Sequence, residues 1–363
     1  MKILLSAYLD NNIGDDYMIE LLANHFKQHQ FYIFSTNSVL KESFKNVPNI
    51  NFVNSNIYKA NVNDFDGLIK IGGSMFIVNS IGHLKQRLQE IIFVKKFKLK
   101  RKFALVLGSN YGPFSSWFGK LLVKLELRTY DLLTVRDRES YQFLVNEKFD
   151  NNFYLFDDIV YNLEESKICK QKNDFKGSRD ILGISAYHSK KTDINFNQYF
   201  FFAKTIDNYL QKENRFVYLF AFDSENENDL SACHHIKHLS KYPEKIAIIP
   251  YLGDREKFIS EMEKCDIFIA IRFHAAILCD ILKVPFVPVA YSNKMKNLME
   301  DNYFRNFYEL DELRENQDLI SKLNMDLENK ENLFYQNEKK ERDARGHFEV
   351  VEHFLERQKN GTK

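Results

Sequence analysis

Cysteine is scarce. The 363 residues hold four, Cys169, Cys233, Cys265 and Cys279, with no CxxC pair and no histidine at zinc-finger spacing from them. This argues against a disulfide framework or a structural zinc, and the thiol usage fits a reducing cytoplasm. Cys265 and Cys279 stand in apolar surroundings and read as small buried hydrophobes. Six prolines and thirteen glycines are too few for collagen or for Pro/Gly-rich disorder. No charge dominates: 51 Lys and Arg against 50 Asp and Glu leave a net +1, so no global field draws the chain to nucleic acid. No stretch approaches the ~20 apolar residues of a membrane span. The most apolar region, 267–291, is broken by Arg272, His274, Asp280 and Lys283. The apolar start ends by Asp10, too short for a secretory signal core, so no leader is expected.

What the chain has is alternation. Short apolar runs predict strands at Lys2–Tyr8, Phe31–Phe34, Gly67–Ile71, Phe103–Leu107, Leu132–Val135 and Phe153–Phe156. Helical spacing falls between them, at Asp15–His29, His83–Arg101 and Arg138–Glu147. A polar stretch, 164–179, reads as a linker between domains. The rhythm then resumes, with strands at Ile181–Tyr187, Phe216–Phe220, Ile246–Ile249, Ile267–Ile271 and Phe286–Val289. Such alternation predicts parallel βαβ units and doubly wound sheets. The expected fold is α/β: two Rossmann-like domains, 1–163 and 180–310, facing a cleft as in B-type glycosyltransferases. The polar, helix-prone tail, 311–363, is expected to pack back on the first domain.

Charged and small residues gather where strands end, which is where open α/β sheets hold ligands. After the first strand comes Asn12-Ile13-Gly14-Asp15-Asp16, either a turn with Asp15 or Asp16 capping the helix, or a loop that a polar ligand approaches closely. Gly72-Gly73 and the loop Gly108-Ser109-Asn110-Tyr111-Gly112-Pro113 are neither GxGxxG nor GxxxxGK[ST], so neither a nicotinamide cofactor nor a P-loop is supported. They are tight turns, or they present backbone N–H groups to an anion or sugar. Arg136 ends another strand, as a surface partner of Asp137 or Glu139 or as a carboxylate- or phosphate-binding residue. The strongest signal is a buried strand running straight into Arg272-Phe273-His274. An apolar strand gains nothing from ending in Arg and His unless something anionic is held there. Tyr291-Ser292-Asn293-Lys294 adds a lysine at the next strand end. Arg136, Arg272, His274 and Lys294 could together form a cationic pocket for a small, highly charged anion. No metal cluster is visible.

The block Arg272-x-His274, a helix, Val284-Pro285, a strand and Tyr291-x-x-Lys294 resembles the signature of the polysaccharide pyruvyl transferase family. Asn12-x-Gly14-Asp15, the Gly72-Gly73 turn, the Gly108–Pro113 loop and Val135-Arg136-Asp137 with Ser140 follow the family order. The resemblance spans roughly residues 1–300. Two positions depart from the pattern: no glycine pair precedes Asn12, and Asp157-Asp158 stands where an Asp-Pro is frequent. The resemblance implies transfer of the enolpyruvyl group of phosphoenolpyruvate to a sugar as a ketal, with no cofactor. It implies a donor site of Arg136, Arg272, His274 and Lys294. His274 is expected in proton transfer or phosphate contact, since an imidazole titrates near working pH, and Asp15 as base on the acceptor hydroxyl. Asn12, Gly14, Gly72, Gly73, Gly108 and Asn110 are candidates for acceptor or backbone contacts.

Two other classes stay open: a B-fold glycosyltransferase with a nucleotide-sugar donor, and a non-catalytic sugar-binding scaffold. The expected location is cytoplasmic, and the segment 83–102, with eight lysines and arginines, has two readings. It is either an outer helix with its apolar stripe on the sheet, or a peripheral contact with anionic headgroups near a lipid-linked acceptor.

Overall fold

A computed structural model describes residues 1–163, 179–188, 192–223, 228–301, 304, 307–315, 317–329 and 342–360. The expected linker, 164–179, lies outside them except for Arg179. The chain forms two units.

The first unit is a seven-stranded parallel sheet in the order β3-β2-β1-β4-β6-β8-β9. Its strands are β1 (Lys2–Ala7), β2 (Gln30–Phe34), β3 (Ile50–Val53), β4 (Gly67–Ile71), β6 (Phe103–Ser109), β8 (Leu132–Val135) and β9 (Asn152–Leu155), with a small side pair, β5 (Phe76–Val78) and β7 (Tyr111–Phe114). Every residue of β4, β6 and β8 is buried. Such strands read as continuous apolar runs because helices cover both sheet faces. Around the sheet come α1 (Ile13–His25), α2 (Ser38–Ser43), α3 (Ile81–Leu99), α4 (Trp117–Leu127) and α5 (Arg138–Asn146). One departure from an apolar interior is Lys70 of β4, whose ammonium lies 3.2 Å from Glu90 of α3 and 3.0 Å from Glu126 of α4. Arg87 of α3 lies 3.1 Å from the same Glu126. These buried pairs fix α3 and α4 on the sheet, since losing one partner would leave an uncompensated charge inside.

The second unit is a six-stranded parallel sheet, β12-β11-β10-β13-β14-β15. Its strands are β10 (Asp180–Ser185), β11 (Arg215–Ala221), β12 (Ile246–Pro250), β13 (Ile267–Ala270), β14 (Phe286–Ala290) and β15 (Tyr308–Glu309). Its helices are α6 (Thr192–Tyr209), α7 (Asp229–Leu239), α8 (Arg255–Glu263), α9 (Phe273–Leu282), α10 (Asn293–Asp301), α11 (Leu310–Glu315) and α12 (Gln317–Glu328). Leu182, Phe202, Leu219, Ile269 and Val289 meet in one core with Leu313 and Leu323 of the last two helices.

The tail expectation needs correction. Helices α11 and α12 complete the second unit's core, because Leu310, Leu313, Ile320 and Leu323 give them an apolar face that this sheet buries. Among the described tail helices, only α13 (Gly346–Asn360) joins the first unit. A second correction concerns residues 10–14, which follow β1 yet group with the second unit. There Asn12 forms an antiparallel bridge with Asp223, and the Ile13 N–H donates to the Phe222 carbonyl at 3.5 Å.

In each sheet the strand order reverses once, between β1 and β4 and between β10 and β13. Loops leaving the C-terminal ends of such a pair diverge and open a crevice. The first crevice is bordered by the Gly72-Gly73 turn, the second by Tyr187-His188 after β10 and Arg272-Phe273-His274 after β13.

Candidate functional site

Strand β13 and helix α9 are separated by two residues, and Arg272 is the one just before the helix, with extended backbone at φ −72° and ψ 142°. Ser185, at the end of β10, holds this junction. Its hydroxyl oxygen accepts the N–H of Ile271 at 2.7 Å and of Arg272 at 3.1 Å. The guanidinium is buried. Its Nε donates to Asp229 Oδ2 at 3.0 Å and its Nη2 to Asp229 Oδ1, a two-pronged grip by a fully buried carboxylate. Because Asp229 takes the Nε–Nη2 edge, it fixes the direction of Nη1. The guanidinium also lies over the Tyr187 ring, 4.7 Å from its centre, and Tyr187 stacks on Tyr291 at 4.2 Å. Asp229 is held in turn by the Asp223 N–H at 3.2 Å.

His274 occupies the first turn of α9 and is buried. Gly14 packs on its ring so closely that a Cβ there would lie 1.8 Å from Nδ1. The glycine is needed for this approach, whereas its N–H is used locally, donating to Asn12 Oδ1 at 3.1 Å. Helix α1 is therefore started by Asn12, and Asp15 and Asp16 lie inside its first turn rather than capping it. A second imidazole stands across the switch point. His188 Nδ1 pairs with the Tyr199 hydroxyl at 2.6 Å. Burial, then the positive charges of His235 and Arg272, lower its pKa and favour the neutral ring.

Arg136 belongs to the first unit and is buried, so it is not the surface residue that one of the two readings made it. Its Nη1 donates to buried Asp158 at 2.5 Å and its Nη2 to Asn110 Oδ1 at 2.9 Å. A Cβ on Gly73 would lie 1.9 Å from Nη2. Gly73, Asn110 and Arg136 thus come together, and Gly72 stands with Asp15, whose Oδ1 lies 3.4 Å from a Cβ placed on that glycine. Asp137 instead caps α5, accepting the Ser140 N–H at 2.8 Å.

Gly108 has a local turn role of its own. Its φ of +63° requires glycine, its N–H donates to Thr134 Oγ1 at 3.0 Å, and a Cβ would lie 2.6 Å from Ile159. The Thr134 hydroxyl meets His347 Nδ1 of α13 at 2.6 Å, and Nε2 of that ring donates to the Asp157 carbonyl at 2.8 Å. Burial pushes the His347 pKa down to about 4. Lys294 starts α10 beyond β14; its side chain lies outside the described residues. Cys233, Cys265 and Cys279 are buried thiols whose pKa burial raises well above the ordinary range. Among the described residues, no three His, Cys, Asp or Glu side chains gather as a metal site requires.

The sequence reading missed Asp229 and His188. A pairing over 43 residues leaves no local trace for the first. For the second the signal was present, since β10 is followed by Tyr187-His188 as β13 is followed by Arg272-x-His274.

The architecture is α/β with two Rossmann-like units, the B-type glycosyltransferase class. UDP-GlcNAc 2-epimerase from Neisseria meningitidis bound to UDP-GlcNAc aligns with TM-score 0.62 over 98% of this chain and 100% of that one, at 11% identity. HepE from Anabaena in complex with UDP and glucose gives 0.60 over 98% and 99%, at 12% identity. A glycosyltransferase from Rickettsia africae gives 0.52 over 98% of each chain, at 13% identity. At such identities the likeness is one of fold. A comparison with curated proteins by sequence found no match. The family model for polysaccharide pyruvyl transferase matches residues 12–293, and the chain belongs to that family. It is accordingly a transferase of polysaccharide biosynthesis.

Proposed function

We propose that the protein moves the enolpyruvyl group of phosphoenolpyruvate onto a sugar of a cell-surface polysaccharide or its precursor, forming a ketal and releasing phosphate. The observation that carries this reading is the Arg272–His274 junction: a buried guanidinium aimed by Asp229 and a buried imidazole in the first turn of α9. A helix N-terminus, an Arg and a His suit a donor bearing both phosphate and carboxylate. In the reaction the donor's methylene carbon takes a proton and the neighbouring carbon is attacked by one sugar hydroxyl. A second hydroxyl of the same sugar then closes the ring as the carbon–oxygen bond to phosphate breaks. Arg272 neutralises the charge that grows on the leaving phosphate. His274 moves the proton or contacts the phosphate. Lys294 is assigned to the donor and Asp15 to the acceptor hydroxyl as base. A lipid-linked saccharide is the proposed acceptor class.

The second reading is a glycosyltransferase with a nucleotide-sugar donor, favoured by the fold shared with proteins solved with UDP or UDP-GlcNAc. Isotope-labelled phosphoenolpyruvate separates the two when incubated with protein and acceptor saccharides. Label in the saccharide with phosphate release is expected. A nucleoside diphosphate formed from nucleotide sugars, with phosphoenolpyruvate intact, would install the second reading. Sugar binding without turnover of either donor would make the protein a scaffold.

A further inference from the structure

Helices α3 and α4 pack side by side on one face of the first sheet. Phe93, Val94 and Phe97 of α3 and Val123 and Leu127 of α4 face the core. The opposite faces are also apolar. On α3, Ile81, Leu88, Ile92 and Leu99 are exposed, Leu99 to 83%. Their spacing of 7, 4 and 7 residues puts them on a single stripe at 3.6 residues per turn. On α4, Trp117, Phe118, Leu121 and Leu125 are exposed, Trp117 to 78%. An outer helix with its whole apolar stripe on the sheet would bury Leu88 and Ile92 there. The structure turns both outward, because Phe93, Val94 and Phe97 already fill that side.

Lysines border the stripe. Lys85, Lys95, Lys96 and Lys100 of the α3 segment are exposed. The only carboxylates within the two helices, Glu90 and Glu126, are buried with Lys70. Acidic neighbours exist at the rim: Asp131 pairs with Lys98, and Glu147 with Lys120 and Lys124. An apolar surface rimmed by cations and without exposed acids on its helices is complementary to an apolar phase with an anionic skin. A second copy meeting the same face about a two-fold axis would set lysines against lysines. Among the described residues no helix is long and apolar enough to cross a membrane, so contact with a bilayer would be at its surface.

We propose that the outward face of α3 and α4 docks on anionic phospholipid, with Trp117, Phe118 and Leu121 entering the headgroup–acyl boundary. This is independent of the donor proposed above. It also differs from a purely electrostatic contact of residues 83–102, since α4 supplies much of the inserting surface.

Trp117 is the sole tryptophan of the chain and reports the event directly. The full chain is mixed with vesicles of phosphatidylglycerol or of phosphatidylcholine. With phosphatidylglycerol, Trp117 emission shifts to the blue and is quenched by brominated acyl chains; with phosphatidylcholine alone it stays solvent-like. Lys95→Gln with Lys96→Gln weakens vesicle binding about 30-fold, from the charge lost near the surface. Phe118→Ser with Leu121→Ser, both at exposed positions, removes the quenching. Unshifted emission on phosphatidylglycerol at low salt overturns the proposal. So does a concentration-dependent dimer that the Phe118/Leu121 variant abolishes while the wild type ignores vesicles.

Discussion

Arg136 and Arg272 both follow a buried strand of a parallel sheet, and both are gripped by a buried aspartate, but their surroundings differ in kind. Around Arg136 the partners are Asp158, the Asn110 amide and a glycine too close to admit a methyl group. Each comes from a loop that leaves another strand end, so the guanidinium braces those loops. Around Arg272 stand the Tyr187 ring, the adjacent His274, and His188, on whose pKa Arg272 acts. An imidazole can exchange a proton near neutral pH, which a carboxamide and a glycine cannot. These contacts of Arg136 suit a brace and those of Arg272 a reagent, at the same place in a βα unit. The neighbours decide which, not the arginine.

The largest expected effect lies on the brace. Arg136→Ala leaves Asp158 charged and buried, and costs about 3–5 kcal/mol of stability, read from urea unfolding. A variant as stable as the wild type but inactive would reverse the assignment and make Arg136 a reagent. Arg272→Ala also strands a buried aspartate, Asp229, and is expected to lose stability of similar size. With the far-ultraviolet circular dichroism of the folded protein kept, it lowers transfer a further 10²–10³-fold, as an order of magnitude about that of losing one charge-stabilising donor. Wild-type turnover in that variant would remove the Arg272–His274 junction from the chemistry. The brace region should also carry an acid sensitivity. His347 takes its proton at about 4 in the fold, against about 6.5 in the unfolded chain. Above both values the ring is neutral in either state. Between them only the unfolded chain binds the proton, so stability falls by about 3 kcal/mol as pH drops through that window. Unfolding midpoints followed from neutral to acid pH should lose that slope in His347→Asn. The smallest effect is at Gly14. An added methyl must push the His274 ring aside at about 1–3 kcal/mol, seen as about a tenfold loss of transfer and a displaced imidazole NMR signal. An unshifted ring would mean that the glycine serves the turn alone.

Much of this was readable in advance where the physics is local. The run Ile267–Ile271 predicts a strand, the structure has β13 at Ile267–Ala270, and a charged residue ending an apolar strand marks the junction. Strand β3 went unread because Ile50-Asn51-Phe52-Val53 is short and only half-buried at the sheet edge. Helix α4 escaped because its exposed face is as apolar as its buried one, which erases the amphipathic period. The carboxylates that aim Arg136 and Arg272 lie 22 and 43 residues from them, and an ion pair between distant loops has no periodicity to betray it.

The third link in the first unit is the histidine near the end of the chain. Thr134 and the Asp157 carbonyl find their partner in His347, about 190 residues later than Asp157 and after the whole second sheet has passed. During synthesis the seven strands of the first sheet therefore leave the ribosome long before the helix that completes their loops, and the Asp157 carbonyl waits without its histidine partner. The second sheet, continuous in sequence but for residues 10–14, is under no such delay. Assembly order and sequence order thus part company: the half that is made first is the half that is finished last.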